Sequence, residues 1–376
     1  MAVTEVQDQF DPSQLGQRGR DHPAAQWRRD GQSPTIAIDA MSGDWGAPVV
    51  IEALARMDRE ALDARLVLMG DAQILEPLLA RSGLKQSEQL LVEHAPQRVE
   101  MGDSVSVALR SKRLSSMRVA IDWVHCGRAA ACISAGNTGA LMVTARRILR
   151  TIPGIDRPAI VTALPAPQGR TYVLDLGANA ECSADHLFQF AVMGSVLAAA
   201  VENIPLPRVG LLNVGAEQIK GAARVRQASQ MLASSGLNYV GFVEGDAFYS
   251  GQVDVLVCDG FSGNAALKAS ESVARLIAQR LKASFQGSLY GRMVGLLAQP
   301  VLRAFRRQVD PRYYNGATLL GLRGIVVKSH GSADSVAFAN AIEQATKEAR
   351  MGIPERIGKL VGHVVGAASP TMDALS

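Results

Sequence analysis

The sequence predicts a layered α/β protein built around a mainly parallel sheet. From residue 35 onward, short runs rich in Val, Ile and Leu alternate with helical patterns. Most of these runs are continuously apolar, which is typical of strands buried on both faces of a parallel sheet. Glycine-rich loops follow many of the runs, and in this fold class such loops gather at one edge of the sheet.

Seven runs are predicted as strands and two longer patterns as helices. The strands are 35–39 (TIAID), 65–69 (RLVLM), 130–134 (AACIS), 171–175 (TYVLD), 208–213 (RVGLLN), 254–258 (DVLVC) and 325–328 (IVVK). Helices are expected from about Ala184 to Glu202 and from about Ala333 to Arg350, the second with Ser332 as its N-cap. Strands that alternate with helices in this way indicate a layered α/β domain.

Composition and charge define the expected domain boundaries and location. Residues 1–33 lack periodicity and predict a disordered extension, residues 34–365 predict one α/β domain, and residues 366–376 predict a flexible tail. The net charge of +4 gives no indication of nucleic-acid binding. The four cysteines form no CxxC pair, no secretory signal is visible, and the longest apolar stretch is too short to span a bilayer. We therefore expect a cytoplasmic protein.

Residues 272–312 differ from the rest of the chain. Apolar residues recur there at helical spacing, and eight basic residues accompany a single acid, Asp310, between Arg275 and Arg312. Gly287, Gly291 and Pro300 are expected to divide the segment into two or three helices. The segment predicts an amphipathic, basic helical excursion from the main domain.

Six loops that follow predicted strands are rich in small residues. They are AMSGDWGAP (40–48), SAGNTGAL (134–141), LGANAECS (176–183), VGAEQIKG (214–221), DGFSGNAALK (259–268) and SHGSADS (329–335). Small residues allow the backbone to approach a ligand closely, and the first N–H groups of a following helix are unpaired. Several such helix starts at the carboxyl edge of a sheet predict an anion-binding crevice.

Common cofactor and nucleophile motifs are absent from the sequence. There is no GxGxxG, no GxxxxGK[ST], no HExxH, no metal-ligand cluster and no GxSxG elbow. We therefore expect neither a cofactor nor a metal. The remaining expectation is a site that binds an anion and polarises a carbonyl group.

Six motifs together resemble the bacterial phosphate acyltransferase family, PlsX. They are IAIDAMSGDWGAP, ISAGNTGALM, LDLGANAECSADHLFQFAVMG, RVGLLNVGAEQIKG, VCDGFSGNAALK and GIVVKSHGSADS, and they follow one another between about Ile36 and Ile342. Two positions depart from the family pattern. Ser42 stands where the family usually has Gly, and Asn315 stands where a second Gly is common. The resemblance does not extend to the N-terminal 33 residues.

The resemblance implies an activity and a fold. Members of this family convert acyl-ACP and inorganic phosphate to acyl-phosphate and free acyl carrier protein, and the product feeds phospholipid synthesis. The implied fold is a three-layer α/β/α domain similar to phosphotransacetylases, related to the isocitrate-dehydrogenase-like class, and usually dimeric. Phosphate attacks the thioester directly, so the protein has to hold a dianion and stabilise an oxyanion.

This reaction gives expected roles to loop residues. Lys220 is expected to neutralise phosphate or the oxyanion, Asn264 to hydrogen-bond substrate, and His330 to bind phosphate or protonate the leaving thiolate. Their structural alternatives are a solvated lysine, a helix N-cap and a loop histidine. Further substrate or phosphate contacts are expected from Ser134, Gly136, Asn137, Thr138, Asn179, Gly215, Gly263 and Lys268. Turn stabilisation is the alternative for Ser134, Asn137 and Thr138. Asp39 and Asp175, at strand ends, are expected to orient loops.

Two basic segments are candidates for contacts with larger partners. Arg110, Lys112 and Arg113 are a candidate dock for the acidic acyl carrier protein, with a solvated helix face as the alternative. The family resemblance suggests that the 272–312 excursion touches an anionic membrane surface, with dimer packing as the alternative. The candidate membrane residues are Leu289, Met293, Leu296, Leu297, Arg303 and Arg306.

Three other functions remain open on the sequence alone. The same sheet could belong to a phosphotransacetylase-like enzyme that uses acyl-CoA. It could also belong to a membrane-recruited scaffold without catalysis, or to an oxidoreductase of the isocitrate-dehydrogenase-like class. The substrate specificity and the cofactor requirement distinguish these alternatives.

Overall fold

A computed structural model describes residues 33–215, 220–302 and 310–367. The chain divides into two compact units: unit 1 comprises residues 1–150 and 322–350, and unit 2 comprises residues 151–321 and 351–376. The predicted extension 1–33 and tail 366–376 lie outside the described residues, apart from residues 33, 366 and 367. The single domain over 34–365 stays a prediction.

The described residues contain eleven strands, thirteen α-helices and one short 3₁₀ helix. The strands are β1 (Thr35–Asp39), β2 (Arg65–Gly70), β3 (Leu90–His94), β4 (Ala131–Ser134), β5 (Ala159–Pro165), β6 (Arg170–Leu174), β7 (Val209–Leu212), β8 (Tyr239–Val243), β9 (Val255–Val257), β10 (Ala317–Leu320) and β11 (Ile325–Lys328). The helices are α1 (Ala47–Arg56), α2 (Arg59–Leu62), α3 (Ala72–Arg81), α4 (Val105–Arg110), α5 (Ser116–His125), α6 (Thr138–Leu149), α7 (Ala184–Glu202), α8 (Ala223–Ala233), α9 (Ala247–Ser250), α10 (Gly260–Gln286), α11 (Leu289–Leu297), the 3₁₀ helix (Pro311–Tyr314), α12 (Ser335–Met351) and α13 (Ile353–Ala367).

Unit 1 places helices on both faces of parallel strands in the order β3-β2-β1-β4-β11. Alternate side chains of these strands, such as Ile36 and Ile38, pack with α1, α3 and α12 in one core. On the opposite face, α5 contacts β1, β2 and β4. Successive strand residues point to opposite faces, so continuously apolar strands are needed to fill both cores.

Unit 2 arranges its strands in the order β10-β5-β6-β9-β7-β8. The pairings among β6, β9, β7 and β8 are parallel, whereas β5 pairs antiparallel with both β10 and β6. Helices α7, α8 and α13 cover one face around Tyr172 and Phe190, whereas α9 contacts β5 and β6 and α10 contacts β6. The three-layer α/β/α class with mainly parallel strands is therefore confirmed.

All seven predicted strands are present, with ends that shift by at most one residue. The prediction missed β3, β5, β8 and β10. Strands β3 (LLVEH) and β8 (YVGFV) are only partly buried, so their sequences lack a continuous apolar run. Strands β5 and β10 form the antiparallel part of unit 2, where prolines, glycines and threonines interrupt or flank the apolar residues.

Helix starts follow capping chemistry, and one predicted cap is wrong. Helix α7 has the predicted bounds, and Ser183 and His186 form a reciprocal capping box at its start. Helix α12 starts at Ser335, where the Asp334 carboxylate accepts from Ala337 N at 3.0 Å. Ser332, the predicted cap, instead contacts His330. Helix α7 is long and apolar enough to cross a membrane, but 61% of its apolar window is buried, as in a core helix.

The helical excursion predicted over 272–312 begins inside a longer helix. Helix α10 runs without interruption for 27 residues and ends at Gln286, next to the predicted breaker Gly287. Helix α11 then packs back on α10, and Gly295 of α11 lies against the ring of Phe285 of α10. The candidate membrane residues Arg303 and Arg306 lie outside the described residues.

Candidate active site

A row of three polar residues ends the central strands of unit 1. Asp39, Ser134 and Lys328 are the last residues of β1, β4 and β11, and the strand register places them side by side. All three are buried, with Lys328 only 8% exposed. This row of polar residues is therefore the common starting point of three Gly-rich loops, 40–48, 134–141 and 329–335.

The Asp39 carboxylate holds two of these loops. Its Oδ2 accepts hydrogen bonds from Ser134 Oγ at 2.6 Å and from Ser42 Oγ. Its Oδ1 is buried without a hydrogen-bond partner among the described residues. Burial raises the pKa of Asp39, while nearby serine hydroxyls, including Ser116, act to lower it. Ser42 thus supplies a hydroxyl donor to the buried carboxylate.

Lys328 joins loops 134–141 and 329–335 and was not singled out from the sequence. Its Nζ donates to the carbonyl of Ala135 at 3.0 Å and to the carbonyl of Ser329 at 2.6 Å. Burial lowers the pKa of Lys328 to about 8, against the opposing effect of Asp39 and Asp44. A lysine at the end of an otherwise apolar strand was the available signal, since such a charge needs buried partners.

The three loops also contact one another through the backbone. Asp44 N donates to the carbonyl of Gly331 at 2.8 Å. Gly43 has a φ of +88°, and a Cβ there would lie 3.0 Å from Ala135 Cβ and 3.1 Å from Gly331 O. Glycine is therefore required at position 43 for both the left-handed turn and the close approach.

The polar residues predicted in loop 134–141 turn mainly inward. Ser134 Oγ, besides donating to Asp39, accepts from Gly136 N at 3.1 Å. Asn137 caps α6 by accepting from Ala140 N at 3.0 Å, and its Nδ2 donates to the carbonyl of Met101 at 2.7 Å. These bonds favour turn stabilisation for Ser134 and Asn137, whereas Thr138 is exposed in the first turn of α6.

His330 is exposed at the end of this cluster. Its Nδ1 accepts from Ser332 N at 3.2 Å and lies 2.8 Å from Ser332 Oγ. A backbone N–H can only donate, so in the neutral ring the proton is assigned to Nε2. The loop thus orients His330 as a hydrogen-bond donor, which is compatible with its predicted role toward an anion.

In unit 2, a second inward-facing carboxylate organises the loop after β6. Asp175 Oδ1 accepts from Ile160 N and Ala178 N, and Oδ2 accepts from Asn179 N at 2.6 Å. Asn179 Nδ2 donates to Asp175 and to the carbonyl of Pro158, both at 2.9 Å. Burial raises the pKa of Asp175, and these donors act to lower it. The side-chain amide of Asn179, a predicted substrate contact, thus forms hydrogen bonds that hold the loop.

The start of α10 packs tightly on this loop. A Cβ at Gly263 would lie 2.0 Å from the carbonyl oxygen of Asp175, so only glycine fits. The helix cap is Asp259, which accepts from Ser262 N at 2.8 Å and forms an ion pair with Arg224 at 3.0 Å. Asn264 is the fifth helical residue and is exposed, so the N-cap alternative for Asn264 is wrong.

Loop 214–221 is closed by one side chain that the sequence analysis overlooked. Asn213 Nδ2 donates to the carbonyls of Gly215 at 2.9 Å and Lys220 at 2.8 Å. A Cβ at Gly221 would lie 1.9 Å from Asn213 Oδ1, so the glycine gives the amide room. Gly215 is buried and Lys220 is exposed, while residues 216–219 lie outside the described residues.

Other predicted contacts are weakened by ion pairs. Lys268 is exposed and pairs with Glu271 at 2.9 Å. Lys112 pairs with Asp103 at 2.5 Å, whereas Arg110 and Arg113 are exposed. These pairs reduce the net positive charge of the two lysines toward a partner. The candidate dock for an acidic protein therefore depends on the two arginines.

A large apolar surface covers the end of α10 and all of α11. We call it the α10–α11 surface, and it comprises Val273, Leu276, Ile277, Leu281, Leu289, Tyr290, Met293, Leu296, Leu297 and Val301. Leu297 is 79% exposed, and α11 has no buried residue. Apolar patches of this extent usually mark a contact with a membrane or another protein.

The described residues hold no group of three or more His, Cys, Asp and Glu that could bind a metal. Cysteines are also poorly suited to act as nucleophiles here. Burial raises the pKa of Cys182 to about 11 and also raises the pKa values of Cys132 and Cys258. At neutral pH these three thiols remain protonated, so they supply little thiolate.

Comparisons with known proteins agree with the geometry of the two units. The family model described as "Fatty acid synthesis protein" matches residues 34–356. A phosphate acyltransferase from Nitrosococcus oceani is 55% identical over 86% of this chain and 96% of its own. Another from Alkalilimnicola ehrlichii is 55% identical over 89% of this chain and 98% of its own.

Solved structures with the same fold include phosphotransacetylases. The enzyme from Streptococcus pyogenes superposes with a TM-score of 0.57 and 19% identity, over 90% of this chain and 99% of its own. One from Staphylococcus aureus gives a TM-score of 0.54 and 16% identity, over 90% of this chain and 98% of its own. At such identities the likeness concerns the fold alone.

Proposed function

This chain belongs to the bacterial phosphate acyltransferase (PlsX) family, and we propose that it transfers the acyl group of acyl-ACP to inorganic phosphate. It is an enzyme of the phosphate acyltransferase type, with an acyltransferase role in fatty acid and phospholipid synthesis. The use of acyl carrier protein as donor and the roles of individual residues are the proposed parts.

One observation carries the proposed chemistry. In both units the strand-end aspartates, Asp39 and Asp175, turn inward to hold loops, whereas Lys220, Asn264 and His330 are exposed. The loops therefore offer a cation and neutral donors outward, while the two strand-end carboxylates remain buried. This arrangement suits a phosphate dianion and a developing oxyanion, which carboxylates would repel.

The reaction needs no covalent enzyme intermediate. A phosphate oxygen attacks the thioester carbonyl carbon, the C–S bond breaks as the tetrahedral intermediate collapses, and the thiolate leaves with one proton. We assign neutralisation of phosphate or the oxyanion to Lys220 and a hydrogen bond to substrate to Asn264. His330 binds phosphate or, in its protonated form, gives the Nε2 proton to the leaving sulfur and regains a proton from the phosphate hydroxyl. The protonated buried cysteines support direct attack.

The test is phosphate-dependent thiol release from acyl-ACP by the full-length protein. Free thiol and hydroxylamine-trapped acyl-phosphate should appear in equal amounts. Lys220→Ala should lower kcat/KM roughly 100-fold, as expected for loss of one charge-stabilising group. Lys85→Ala, which removes an exposed lysine from outside the loops, is the matched control. Wild-type kcat/KM in Lys220→Ala would exclude the assigned role.

The same assay separates the alternative functions. Equal or faster turnover with acyl-CoA would favour the phosphotransacetylase-like alternative, and the absence of turnover with either thioester would favour a scaffold. Nicotinamide-dependent absorbance changes would indicate the oxidoreductase alternative. The direct-attack proposal requires acyl-phosphate formation from acyl-ACP.

We further propose a cytoplasmic enzyme that binds the membrane peripherally through the α10–α11 surface. The support is the exposure of Leu289, Met293, Leu296 and Leu297 together with nearby basic residues. Apolar side chains enter the lipid interface while basic ones attract anionic headgroups. A second copy of the chain is the competing occupant, because the family resemblance suggests a homodimer.

A further inference from the structure

A cavity of about 280 Å³ lies beside the unit 1 loops and is not used by the roles proposed above. Two segments line it: residues 41–46, from the loop after β1, and residues 98–101. The cavity is smaller than the ~300–1,000 Å³ common for complete small ligands. Its size therefore suits a slender segment of a larger substrate.

The cavity adjoins loops that carry predicted site residues. Asp44 N donates to the carbonyl of Gly331, the residue after His330, at 2.8 Å. A Cβ at Gly331 would lie 3.2 Å from Met101 Cε and 3.6 Å from Asp44 Oδ1. The cavity wall and the His330 loop thus adjoin each other, so a ligand segment here lies next to the loop that carries His330.

The charges of the residues that line the cavity disfavour phosphate as its occupant. Arg98 pairs with Glu100 at 2.5 Å, which leaves the carboxylate of Asp44 without a matching cation among the lining residues. A phosphate dianion would be repelled by this negative balance. The occupant should therefore carry no negative charge.

Two exposed apolar side chains flank the cavity. Trp45 is 62% exposed and Met101 is 46% exposed. Gly43 and Gly46 have positive φ angles of +88° and +59°, and they hold the Trp45 loop in a conformation that other residues rarely adopt. An aromatic ring and a flexible thioether, within a polar wall, suit a chain that carries both methylene and amide groups.

We propose that this cavity binds the pantetheine arm of the thioester substrate, with Trp45 and Met101 as its apolar contacts. This inference rests on the proposed function. A pantetheine arm is slender, neutral along its length, and built from amides and methylene groups. Acyl-ACP and acyl-CoA share this arm, and its sulfur would then lie toward the His330 loop.

Steady-state kinetics with three thioesters test the inference. The donors are acyl-pantetheine, acyl-ACP and acyl-CoA, and thiol release is followed at varied thioester and varied phosphate. Trp45→Ala should raise the KM for acyl-pantetheine roughly tenfold and leave the KM for phosphate unchanged. Trp45→Phe should recover most of the loss. Ile74→Ala removes an exposed apolar side chain on α3 that does not line the cavity, and it should match wild type.

A binding readout without turnover completes the test. Pantetheine added to the full-length protein should shift its tryptophan emission to shorter wavelength, and Trp45→Phe should abolish the shift. An unchanged KM for acyl-pantetheine in Trp45→Ala, or an equal rise in the KM for phosphate, would overturn the inference. An effect confined to acyl-ACP would overturn it too, because the contact would then be with the carrier protein. Absence of phosphate-dependent thiol release in the wild type would instead refute the proposed function.

Discussion

Replacing Lys328 by methionine should remove a pH dependence from the stability of unit 1. Burial lowers the pKa of this lysine from 10.5 to about 8, while Asp39 and Asp44 oppose the shift. The unfolded chain therefore holds the proton more tightly than the folded chain. Between about pH 8 and 10.5 the folded lysine is neutral while the unfolded one is charged, so the free energy of unfolding rises with pH.

The gap between the two pKa values sets the size of the effect. It corresponds to about 3 kcal/mol gained across the window, at no more than about 1.4 kcal/mol per pH unit. At pH 7, a comparison of the free energies of unfolding of wild type and Lys328→Met is less informative. Methionine removes the cost of burying a charge, but it also removes two hydrogen bonds from a charged donor, worth about 1.5–3 kcal/mol each. The pH slope isolates the titration of Lys328.

Urea unfolding at pH 8, 9 and 10 measures the slope. Tryptophan fluorescence reports unit 1, because Trp45 and Trp123 lie there and no tryptophan follows residue 123. Wild type should gain stability over this range relative to Lys328→Met. Lys85→Met, which replaces an exposed lysine of unit 1, should keep the wild-type slope. Equal slopes in wild type and Lys328→Met would refute the reasoning.

Three further predictions address other parts of the chain. Gly263→Ala should destabilise unit 2 by more than about 2 kcal/mol, because its Cβ would lie 2.0 Å from the Asp175 backbone. The control Gly245→Ala places its Cβ in open space, and equal melting temperatures of the two variants would contradict the prediction. Asn213→Ala leaves two loop carbonyls without their donor, so kcat/KM should fall roughly tenfold because Lys220 is no longer held in position. Unchanged kinetics would show that these hydrogen bonds of Asn213 do not contribute to catalysis. Leu297→Glu should weaken sedimentation with anionic vesicles at least fivefold without altering thiol release, and unchanged sedimentation accompanied by a loss of dimer would favour a second copy as the occupant.

The sequence predicted strands well where burial is complete on both faces. Residues 35–39 and 325–328 have the predicted bounds, because a continuously apolar run between loop residues has few other interpretations. Partly buried strands such as Tyr239–Val243 contain glycine and polar neighbours, so their sequences resemble loops. Pattern reasoning thus identified the interior of the fold better than its partly exposed strands.

For the candidate site, the sequence identified the loops better than it identified the contacts that their side chains make. Asp39 and Asp175 do hold loops, as their positions at strand ends suggested. Asn264 was weighed as a helix cap, but the cap is Asp259, five residues earlier. Lys328 and Asn213 were missed because each acts through backbone carbonyls of other loop residues. Such contacts depend on how the loops fold in three dimensions, and the residues next to Lys328 and Asn213 in the sequence do not reveal this.

Helix α10 is also a lever arm. At about 1.5 Å per residue, its 27 residues reach about 40 Å from Gly260 to Gln286. The fit of Gly263 against Asp175 prevents the base of the helix from sliding, so a sideways load on the tip acts on the base as torque. For an arm of about 40 Å, a tilt of about 5° at the base corresponds to about 3.5 Å of travel at the tip. A membrane or partner that tilts the apolar tip would therefore change the angle at which Asn264, near the base of the helix, is presented.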